Sequence, residues 1–315
     1  MAGLVFDIGG TKTRAGLFDP ARSTLIRSVQ APTPNHLDFP ESSFEQLREQ
    51  LLLLMQRLGD ELVDSRSLDR IDVAFAGPID AAGNVLAAPT VWGTRQSSPH
   101  DLGEDIARRW PGARVTIMND LTAAGYRYLR PDGEDFCIVT VSSGIGNKVF
   151  VDGRPRVGSS GLGGELGHLR VDDSATAPVC ECGGRGHLGA VASGRAVLEH
   201  ALRRLQTDGL TSGDLVAAFR RGEPWALEII EHGAGPLGWA LAAMRLGVGI
   251  ERFVLIGGFA LALGEAYRQL VADAASARCW QGNDSWASKV ELGVNDDDSG
   301  LIGAGIAGLL REGAS

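Results

Sequence analysis

Apolar segments alternate with short polar turns along the chain, and their spacing predicts strands and helices in alternation. Near the start, LVFDI and TRAGLFD have the character of strands, and the glycine turn between them predicts a β-hairpin. RIDVAFAG, RVTIMND, RFVLIGG and KVELG indicate further strands. Helical spacing of apolar residues predicts helices over about 44–58, 195–205, 224–246, 263–277 and 300–310. Together these elements favour an α/β fold.

The strand–turn–strand pattern of the first residues occurs a second time in the middle of the chain. VTVSSGIGNKVFVDG, like VFDIGGTKTRAGLFD, places a glycine turn between two apolar strands. The recurrence predicts a duplicated fold whose two turns face a shared cleft; the alternative is coincidence, since such hairpins are common. We predict an N-terminal α/β domain of residues 1–118 with about 300–315, and a larger C-terminal α/β domain of residues 119–299 that includes the cysteine-rich loop.

Composition and charge narrow the classes of protein and partner. With 315 residues, 44% hydrophobic and 22% charged, the chain resembles ordinary globular proteins large enough for two domains. A net charge of −9 argues against nucleic acid as a partner, because that would require a basic face. We expect no membrane segment, since no apolar run approaches the ~18 residues that span a bilayer. We expect no signal peptide, since the first residues lack a basic region followed by a long apolar core. A reducing cytoplasm, where free cysteines persist, is the expected location. Four cysteines do not suggest a disulfide framework.

Three glycine turns that follow predicted strands are candidate nucleotide-binding elements. In DIGGTK, backbone N–H groups at the glycines would approach phosphate oxygens, and the side chains of Thr11 and Lys12 would add donors. The Asp7 carboxylate would hold Mg²⁺ through water. SSGIGNK is a second such turn, and LIGGF a third that would lie beside a nucleoside. An ordinary hairpin turn remains the alternative for DIGGTK taken alone.

Asn119 and Asp120 follow a predicted strand, at the position where residues of open α/β sheets contact ligands. An aspartate there would accept the proton of a substrate hydroxyl group, and the asparagine would orient that hydroxyl by hydrogen bonding. The competing interpretation is a helix cap, because Asn and Asp before an apolar helical segment are favourable cap residues.

Histidines and cysteines cluster in the segment that follows the second turn. His168, Cys180, Cys182 and His187 supply four nitrogen or sulfur atoms, the number that a closed tetrahedral zinc site requires. Their spacing differs from the usual C-x₂-C pairs, so the residues alone leave zinc and an ordinary loop as alternatives. Glu165 lies three residues before His168, on the same face if that segment is helical.

Taken in order, DIGGTK, AGPID, ND, SSGIG, GGELGH, CECGGRGH, ASG and LIGGF resemble the ROK family of sugar kinases, within the actin/hexokinase-like phosphotransferase superfamily. The resemblance covers nearly the whole chain. It implies a two-domain α/β actin/hexokinase-like (ribonuclease H-like) fold with a central ligand cleft. It also implies ATP with Mg²⁺, a structural Zn²⁺ and a homodimer. The family includes repressors with an N-terminal winged helix, for which a first hairpin at Leu4 leaves no room, so we expect a kinase.

The resemblance also implies roles for individual residues. Asp120 matches the catalytic base. The acceptor site would include Gly77, Thr90, Asn119, Glu165 and His168. The phosphates and adenosine of ATP would be bound by Asp7, Gly9, Gly10, Thr11, Lys12, Ser143, Gly144, Gly146, Gly257 and Gly258. Zinc would be bound by His168, Cys180, Cys182 and His187.

Several positions depart from the family pattern. His187 stands where the family has a third cysteine ligand, and Gly189 stands where it usually has a glutamate that contacts the sugar. Thr90 and the sequence after Asp120 also differ. We therefore expect a small, hexose-like acceptor phosphorylated at a primary hydroxyl, an amino sugar such as kanosamine or a C7-cyclitol rather than plain glucose. The alternatives are a glucokinase or N-acetylhexosamine kinase, acetate- or polyphosphate-type phosphotransfer, and a non-catalytic sugar sensor of the same fold.

Overall fold

The chain forms two compact units. The computed structural model describes residues 2–63, 68–158, 163–279 and 285–312. Unit 1 comprises Met1–Leu129, Val157–Gly163 and Asp296–Ser315, and unit 2 comprises Arg130–Arg156 and Gly164–Asn295. The domain boundaries expected from the sequence stay a prediction, and their outermost residues, Met1 and 313–315, lie outside the described residues.

Strands and helices alternate through most of the chain, and the predicted α/β class is confirmed. The strands are β1 Gly3–Ile8, β2 Lys12–Asp19, β3 Thr24–Pro32, β4 Arg70–Phe75, β5 Arg114–Asn119, β6 Phe136–Val141, β7 Ile145–Val151, β8 Arg154–Pro155, β9 Arg252–Ile256 and β10 Val290–Leu292. The α-helices are α1 Phe44–Leu62, α2 Leu102–Arg109, α3 Asp120–Tyr126, α4 Leu188–Ala192, α5 Gly194–Leu205, α6 Ser212–Arg220, α7 Pro224–Val248, α8 Gly258–Leu263, α9 Glu265–Ser276 and α10 Ser299–Glu312. Short 3₁₀ turns cover Leu166–His168 and Trp286–Ser288.

Unit 1 is built on a five-stranded sheet in the order β3-β2-β1-β4-β5. β1 pairs antiparallel with β2 and parallel with β4, which pairs parallel with β5. Every residue of β4 is buried, because helices cover both faces of the central strands. On one face Leu47 of α1 packs into a core with Phe6, and on the other Leu301 of α10 packs with Val5.

Unit 2 repeats this topology, with its sheet ordered β10-β9-β6-β7-β8. β6 pairs antiparallel with β7 and parallel with β9, which pairs parallel with β10. Its main core joins Val139 and Leu255 of the sheet to Leu237 and Leu241 of α7. The shared order and strand directions agree with the duplicated fold that the two hairpin sequences predicted.

The structure also contains elements that the pattern did not predict. β3 is an edge strand whose residues are largely exposed, so its sequence lacks an apolar run. α2 and α6 are short, and capping by Asp101 and Thr211 defines their starts. The helix predicted over 263–277 corresponds to α9, whereas α8 was not predicted, and Gly264 with a φ of +74° separates the two helices. Among the described residues, no helix combines the length and apolar character needed to cross a membrane.

Candidate active site

The first glycine turn forms part of a cavity in unit 1. β1 ends at Ile8, and the turn closes with a hydrogen bond from the Gly9 N–H group to the carbonyl oxygen of Lys12, 3.0 Å away. The cavity has a volume of about 410 Å³. Its lining residues are Asp7, Gly9, Gly10, Thr11, Lys12, Arg14 and Asp120. The five predicted residues of this turn and the predicted catalytic base therefore share one cavity.

Two buried threonines, which the sequence analysis did not identify, support this turn. The hydroxyl group of Thr33 donates a hydrogen bond to the carbonyl oxygen of Gly9 at 2.7 Å. It also lies 2.9 Å from the hydroxyl oxygen of Thr13, and the backbone N–H of Thr33 donates to the carbonyl oxygen of Thr11. Both threonine residues are buried. The turn is thus supported by the side chain of Thr33, which follows β3, and by that of Thr13 on β2.

Negative charge is concentrated around Asp7. Burial, followed by the charge of Asp120, raises the pKa of Asp7 to about 7. The guanidinium group of Arg14 opposes this shift, and its Nη1 lies 3.7 Å from Asp7 Oδ2. Asp297 and Asp298 add smaller contributions that raise the pKa. A divalent cation fits this environment, since Asp7 and Asp120 present hard carboxylate oxygens to one cavity.

The structure confirms the helix-cap interpretation for Asn119, whereas the role of Asp120 as the base stays a prediction. Asn119 caps α3, because its side-chain oxygen accepts a hydrogen bond from the Thr122 N–H group at 3.1 Å. Its amide nitrogen donates to the carbonyl oxygen of Gly77 at 3.1 Å and to Asp120 Oδ1 at 2.8 Å. The same Oδ1 accepts from the Leu121 N–H group at 2.8 Å. These contacts fix the orientation of the Asp120 carboxylate, which the helix-cap interpretation alone would not explain.

Thr90, a predicted acceptor residue, lies against the first glycine turn. A Cβ atom built on Gly10 would fall 2.6 Å from the Cβ atom of Thr90. Thr90 therefore reaches the turn only because residue 10 is glycine. Unit 1 thus brings the predicted acceptor residues Gly77, Thr90 and Asn119 to the same region as the first turn and Asp120.

Unit 2 contains the second and third glycine elements. The turn that carries Ser143 and Gly144 joins β6 to β7, and Gly146 lies near the start of β7. Since β6 and β9 are adjacent and parallel, Gly257 at the end of β9 lies beside the end of β6. A Cβ atom on Gly257 would fall 2.6 Å from the carbonyl oxygen of Val141. The predicted phosphate and adenosine elements of unit 2, including Gly258, are therefore neighbours at the carboxyl-terminal ends of β6 and β9.

His168 ends a 3₁₀ turn and Glu165 lies just before it, so the two residues do not share an α-helix. Glu165 precedes the turn Leu166–His168, and both side chains belong to exposed residues. Buried Asn147 of β7 holds this turn, because its side-chain oxygen accepts from the Leu166 N–H group at 2.9 Å. The turn is thereby tied to the strand that follows the second glycine turn.

The four predicted zinc ligands converge in unit 2. One ligand atom from each of His168, Cys180, Cys182 and His187 lies within 4.8 Å of all the others. Cys182 Sγ is 3.3 Å from His187 Nδ1, and Cys180 Sγ is 3.8 Å from His168 Nδ1. Two thiols and two imidazoles at these separations suit a tetrahedral zinc ion. The four side chains therefore fit a zinc ion, and zinc binding at this site stays a prediction.

Comparison with known proteins identifies the family. The model of the ROK family matches residues 4–309, almost the entire chain. The chain belongs to the ROK family. It is 36% identical to a C(7)-cyclitol 7-kinase from Streptomyces hygroscopicus subsp. jinggangensis (strain 5008), with 99% of this chain and 95% of the relative covered. It is 31% identical to an N-acetylmannosamine kinase from Citrobacter koseri (84% and 86% covered).

A solved structure of the same family supports the fold. The ROK hexokinase from Thermus thermophilus superposes with a TM-score of 0.79 at 28% identity, and the match covers 100% of both chains. These ROK relatives confirm the family resemblance, the actin/hexokinase-like fold class and the expectation of a sugar or sugar-like kinase. The roles of individual residues stay predictions.

Proposed function

We propose that this ROK protein uses ATP and Mg²⁺ to phosphorylate a primary hydroxyl group of a C7-cyclitol, with an amino sugar such as kanosamine as the second candidate acceptor. The observation that carries the proposal is the position of Asp120, whose carboxylate shares a cavity with Asp7 and the Gly9–Lys12 turn. The similarity to C(7)-cyclitol 7-kinases over nearly the full length supports the acceptor class.

In this proposal Asp120 acts as the general base. The acceptor oxygen forms a bond to the γ-phosphorus while the bond from that phosphorus to the β–γ bridging oxygen breaks, and the hydroxyl proton passes to Asp120. Hydrogen bonds from Asn119 and Leu121 hold Asp120 Oδ1, so the carboxylate is oriented before the substrate arrives. Such positioning contributes most of the rate in phosphoryl transfer, where little covalent help is needed.

The first glycine turn would bind phosphate oxygens. Gly9, Gly10 and Thr11 would offer backbone donors, and the exposed Lys12 would add a cation. Mg²⁺, held through water by Asp7, would neutralise charge on the phosphates. In unit 2, the turn at Ser143–Gly146 and the glycines at 257 and 258 would bind further phosphate oxygens and the adenosine.

Gly189 carries the argument about the acceptor. It lies in α4, two residues after His187, where the family usually has a sugar-contacting glutamate. Loss of hydrogen bonds to such a carboxylate costs about 1.5–3 kcal/mol, so an acceptor that depends on it would bind poorly. A C7-cyclitol has no ordinary anomeric centre and would tolerate the glycine.

Zinc would stabilise the segment that leads into α4, the helix that contains Gly189. Cys180, Cys182 and His187 precede α4 directly, and His168 ends the turn that begins after Glu165. An ion bound by all four side chains would therefore join the segment of the predicted acceptor residues Glu165 and His168 to the segment that leads to Gly189. We also propose that the protein forms a homodimer, as the family resemblance implies.

An acceptor panel tests this function. The purified enzyme, ATP and Mg²⁺ are combined with a C7-cyclitol, kanosamine, glucose or N-acetylmannosamine, and kcat/KM is measured for each. We expect the C7-cyclitol to give the highest value. Asp120→Asn should lower kcat by about 100-fold or more while nucleotide affinity changes little.

A second variant tests the acceptor argument independently of the base. A Cβ atom on residue 189 would lie 3.3 Å from the Gly167 carbonyl oxygen, so Gly189→Glu requires only a small adjustment. It should shift the preference toward glucose or N-acetylmannosamine, with Gly189→Ala as the control for the added side chain. Best turnover of glucose by the unaltered enzyme would refute the acceptor proposal, and no transfer to any acceptor would favour the sensor alternative.

A further inference from the structure

Asn147 of β7 is a buried polar side chain that belongs to none of the motif residues assigned a role above. It is 4% exposed. A buried amide group costs free energy unless its donor and its acceptor both have hydrogen-bond partners. The partners of Asn147 therefore indicate what this side chain does in unit 2.

The two ends of the Asn147 amide group make contacts of unequal strength. Its Oδ1 accepts a hydrogen bond from the Leu166 N–H group at 2.9 Å, and its Nδ2 lies 3.6 Å from Cys137 Sγ. Burial raises the pKa of the Cys137 thiol to about 12, so the sulfur is neutral and a weak acceptor. The contact with Leu166 is the stronger one, and it fixes the amide orientation, because an N–H group requires an oxygen acceptor.

Leu166 begins the 3₁₀ turn Leu166–His168, and its N–H group needs a partner from outside that turn. The first N–H groups of a helical segment have no acceptor within it. Glu165 occupies the cap position of this turn, but its side chain makes no capping hydrogen bond. Asn147 thus supplies the cap from a neighbouring strand and leaves the Glu165 carboxylate available for a ligand.

The backbone of the same segment lies directly against β7. The Asn147 N–H group donates to the carbonyl oxygen of Gly164 at 3.4 Å. A Cβ atom on Gly164 would fall 2.0 Å from the carbonyl oxygen of Asn147, and one on Gly167 would fall 2.3 Å from that of Ile145. The glycines on either side of Glu165 therefore permit this contact, and the strand determines where Glu165 lies.

We propose that Asn147 is a positioning residue for the acceptor, because it holds the turn Leu166–His168 so that the Glu165 carboxylate meets the acceptor's hydroxyl groups. This inference rests on the proposed function. Glu165 is exposed, so packing restrains its side chain little and the backbone of the turn sets its direction. Groups oriented before binding lower the cost of binding a polyhydroxylated ligand. The competing explanation is that Asn147 only stabilises the core of unit 2.

The test compares Asn147→Leu with Cys137→Ala in the full-length enzyme. Leucine keeps the approximate volume of asparagine and removes the acceptor for the Leu166 N–H group. Cys137→Ala is the matched control, because it removes the partner of the other end of the amide and leaves the contact with Leu166. We expect Asn147→Leu to raise the KM for the acceptor by about 10-fold and to keep the KM for ATP within about twofold. Cys137→Ala should keep both KM values within about twofold.

Two further measurements separate positioning from stability. In a Glu165→Ala background, Asn147→Leu should raise the acceptor KM much less, because the two residues act through one contact. Hydrogen exchange followed by mass spectrometry should show faster exchange in the peptide 164–169 of Asn147→Leu and unchanged exchange there in Cys137→Ala. Asn147→Ala, which leaves the same N–H group without its partner, replaces Asn147→Leu if leucine prevents folding.

The inference is wrong if the acceptor KM of the Asn147 variant stays within about twofold of the unaltered enzyme, or if its KM for ATP rises as much. It is also wrong if Cys137→Ala raises the acceptor KM equally. If the unaltered enzyme transfers phosphate to no acceptor, the proposed function fails. Hydrogen exchange in the peptide 164–169 then still decides whether Asn147 holds the turn.

Discussion

Residues that support the first glycine turn come from outside its motif. The glycines and Asp7 follow an apolar strand directly, which is why their position could be predicted. Thr33 lies 24 residues from Gly9 in sequence, yet its hydroxyl group binds the Gly9 carbonyl oxygen. Nothing in the local sequence around Thr33 indicates that contact, since it depends on the pairing of β2 with β3.

Thr33→Val should loosen the turn. The change removes the hydroxyl group while keeping the shape of the side chain, so the Gly9 carbonyl oxygen and the Thr13 hydroxyl group lose a buried partner. We expect a loss of about 1–3 kcal/mol in the free energy of unfolding and a rise in the KM for ATP. Urea unfolding and steady-state kinetics measure the two effects.

Thr33→Ser is the control for this variant because it keeps the hydroxyl group and removes one methyl group. It should recover most of the nucleotide affinity. If Thr33→Val is as stable as the unaltered protein and binds ATP equally well, the hydrogen bonds of the Thr33 hydroxyl group do not support the turn.

At the scale of elements, long apolar patterns were predicted well and irregular boundaries were not. α7 was predicted over 224–246 and runs from Pro224 to Val248. The helix predicted over 263–277 begins only at Glu265, because Gly264 has a positive φ and separates α9 from α8. A glycine within an apolar pattern is compatible with either a helix interior or a break, and only the backbone conformation distinguishes them.

Two glycine-to-alanine changes test this difference. At Gly264 and at Gly247 an added Cβ atom would meet no heavy atom within 4 Å, so packing is comparable at both sites. Gly264→Ala should lower the free energy of unfolding by about 1 kcal/mol, because alanine is strained at positive φ. Gly247→Ala, near the end of α7, should raise it by about 0.5–1 kcal/mol.

Thermal and urea unfolding of the two variants provide the measurement. A stabilising effect of Gly264→Ala would contradict the positive φ at that position. If the free energy of unfolding falls in Gly264→Ala and rises in Gly247→Ala, backbone conformation and not the loss of a glycine in general causes the changes.

At the scale of the whole molecule, the repeated topology organises the candidate site residues. In each unit a glycine turn joins the central strand, β1 or β6, to the strand that follows it in the chain. The central strand also pairs in parallel with β4 in unit 1 and with β9 in unit 2. The sequences of the two hairpins are similar over only a short stretch. The two sheets nevertheless share the same order and directions of all five strands. Unit 2 additionally contains the four proposed zinc ligands.

Metal analysis tests the zinc proposal on the intact chain. We expect about one zinc ion per chain, with loss of the ion in Cys182→Ser and a lower Tm after chelation. Cys279→Ser is the matched control, since this cysteine lies outside the four-residue set. His187→Cys should retain the metal, because a thiolate can replace the imidazole.

Absence of zinc from the freshly purified protein, together with an unchanged Tm after chelation, would contradict the proposal. Retention of zinc by Cys182→Ser and its loss from Cys279→Ser would assign the metal to a different set of residues.

The sequence by itself determined the α/β class, most strands and helices, the glycine turns and the motif residues, because these depend on local periodicity and on short-range backbone requirements. The tertiary structure decided which of them meet. It placed Asp120 in the cavity of the first turn, brought His168 to the cysteine loop, and brought Arg14 to Asp297 and Thr33 to Gly9. Strand pairing and packing create those contacts, and neither is encoded in any single segment of the chain.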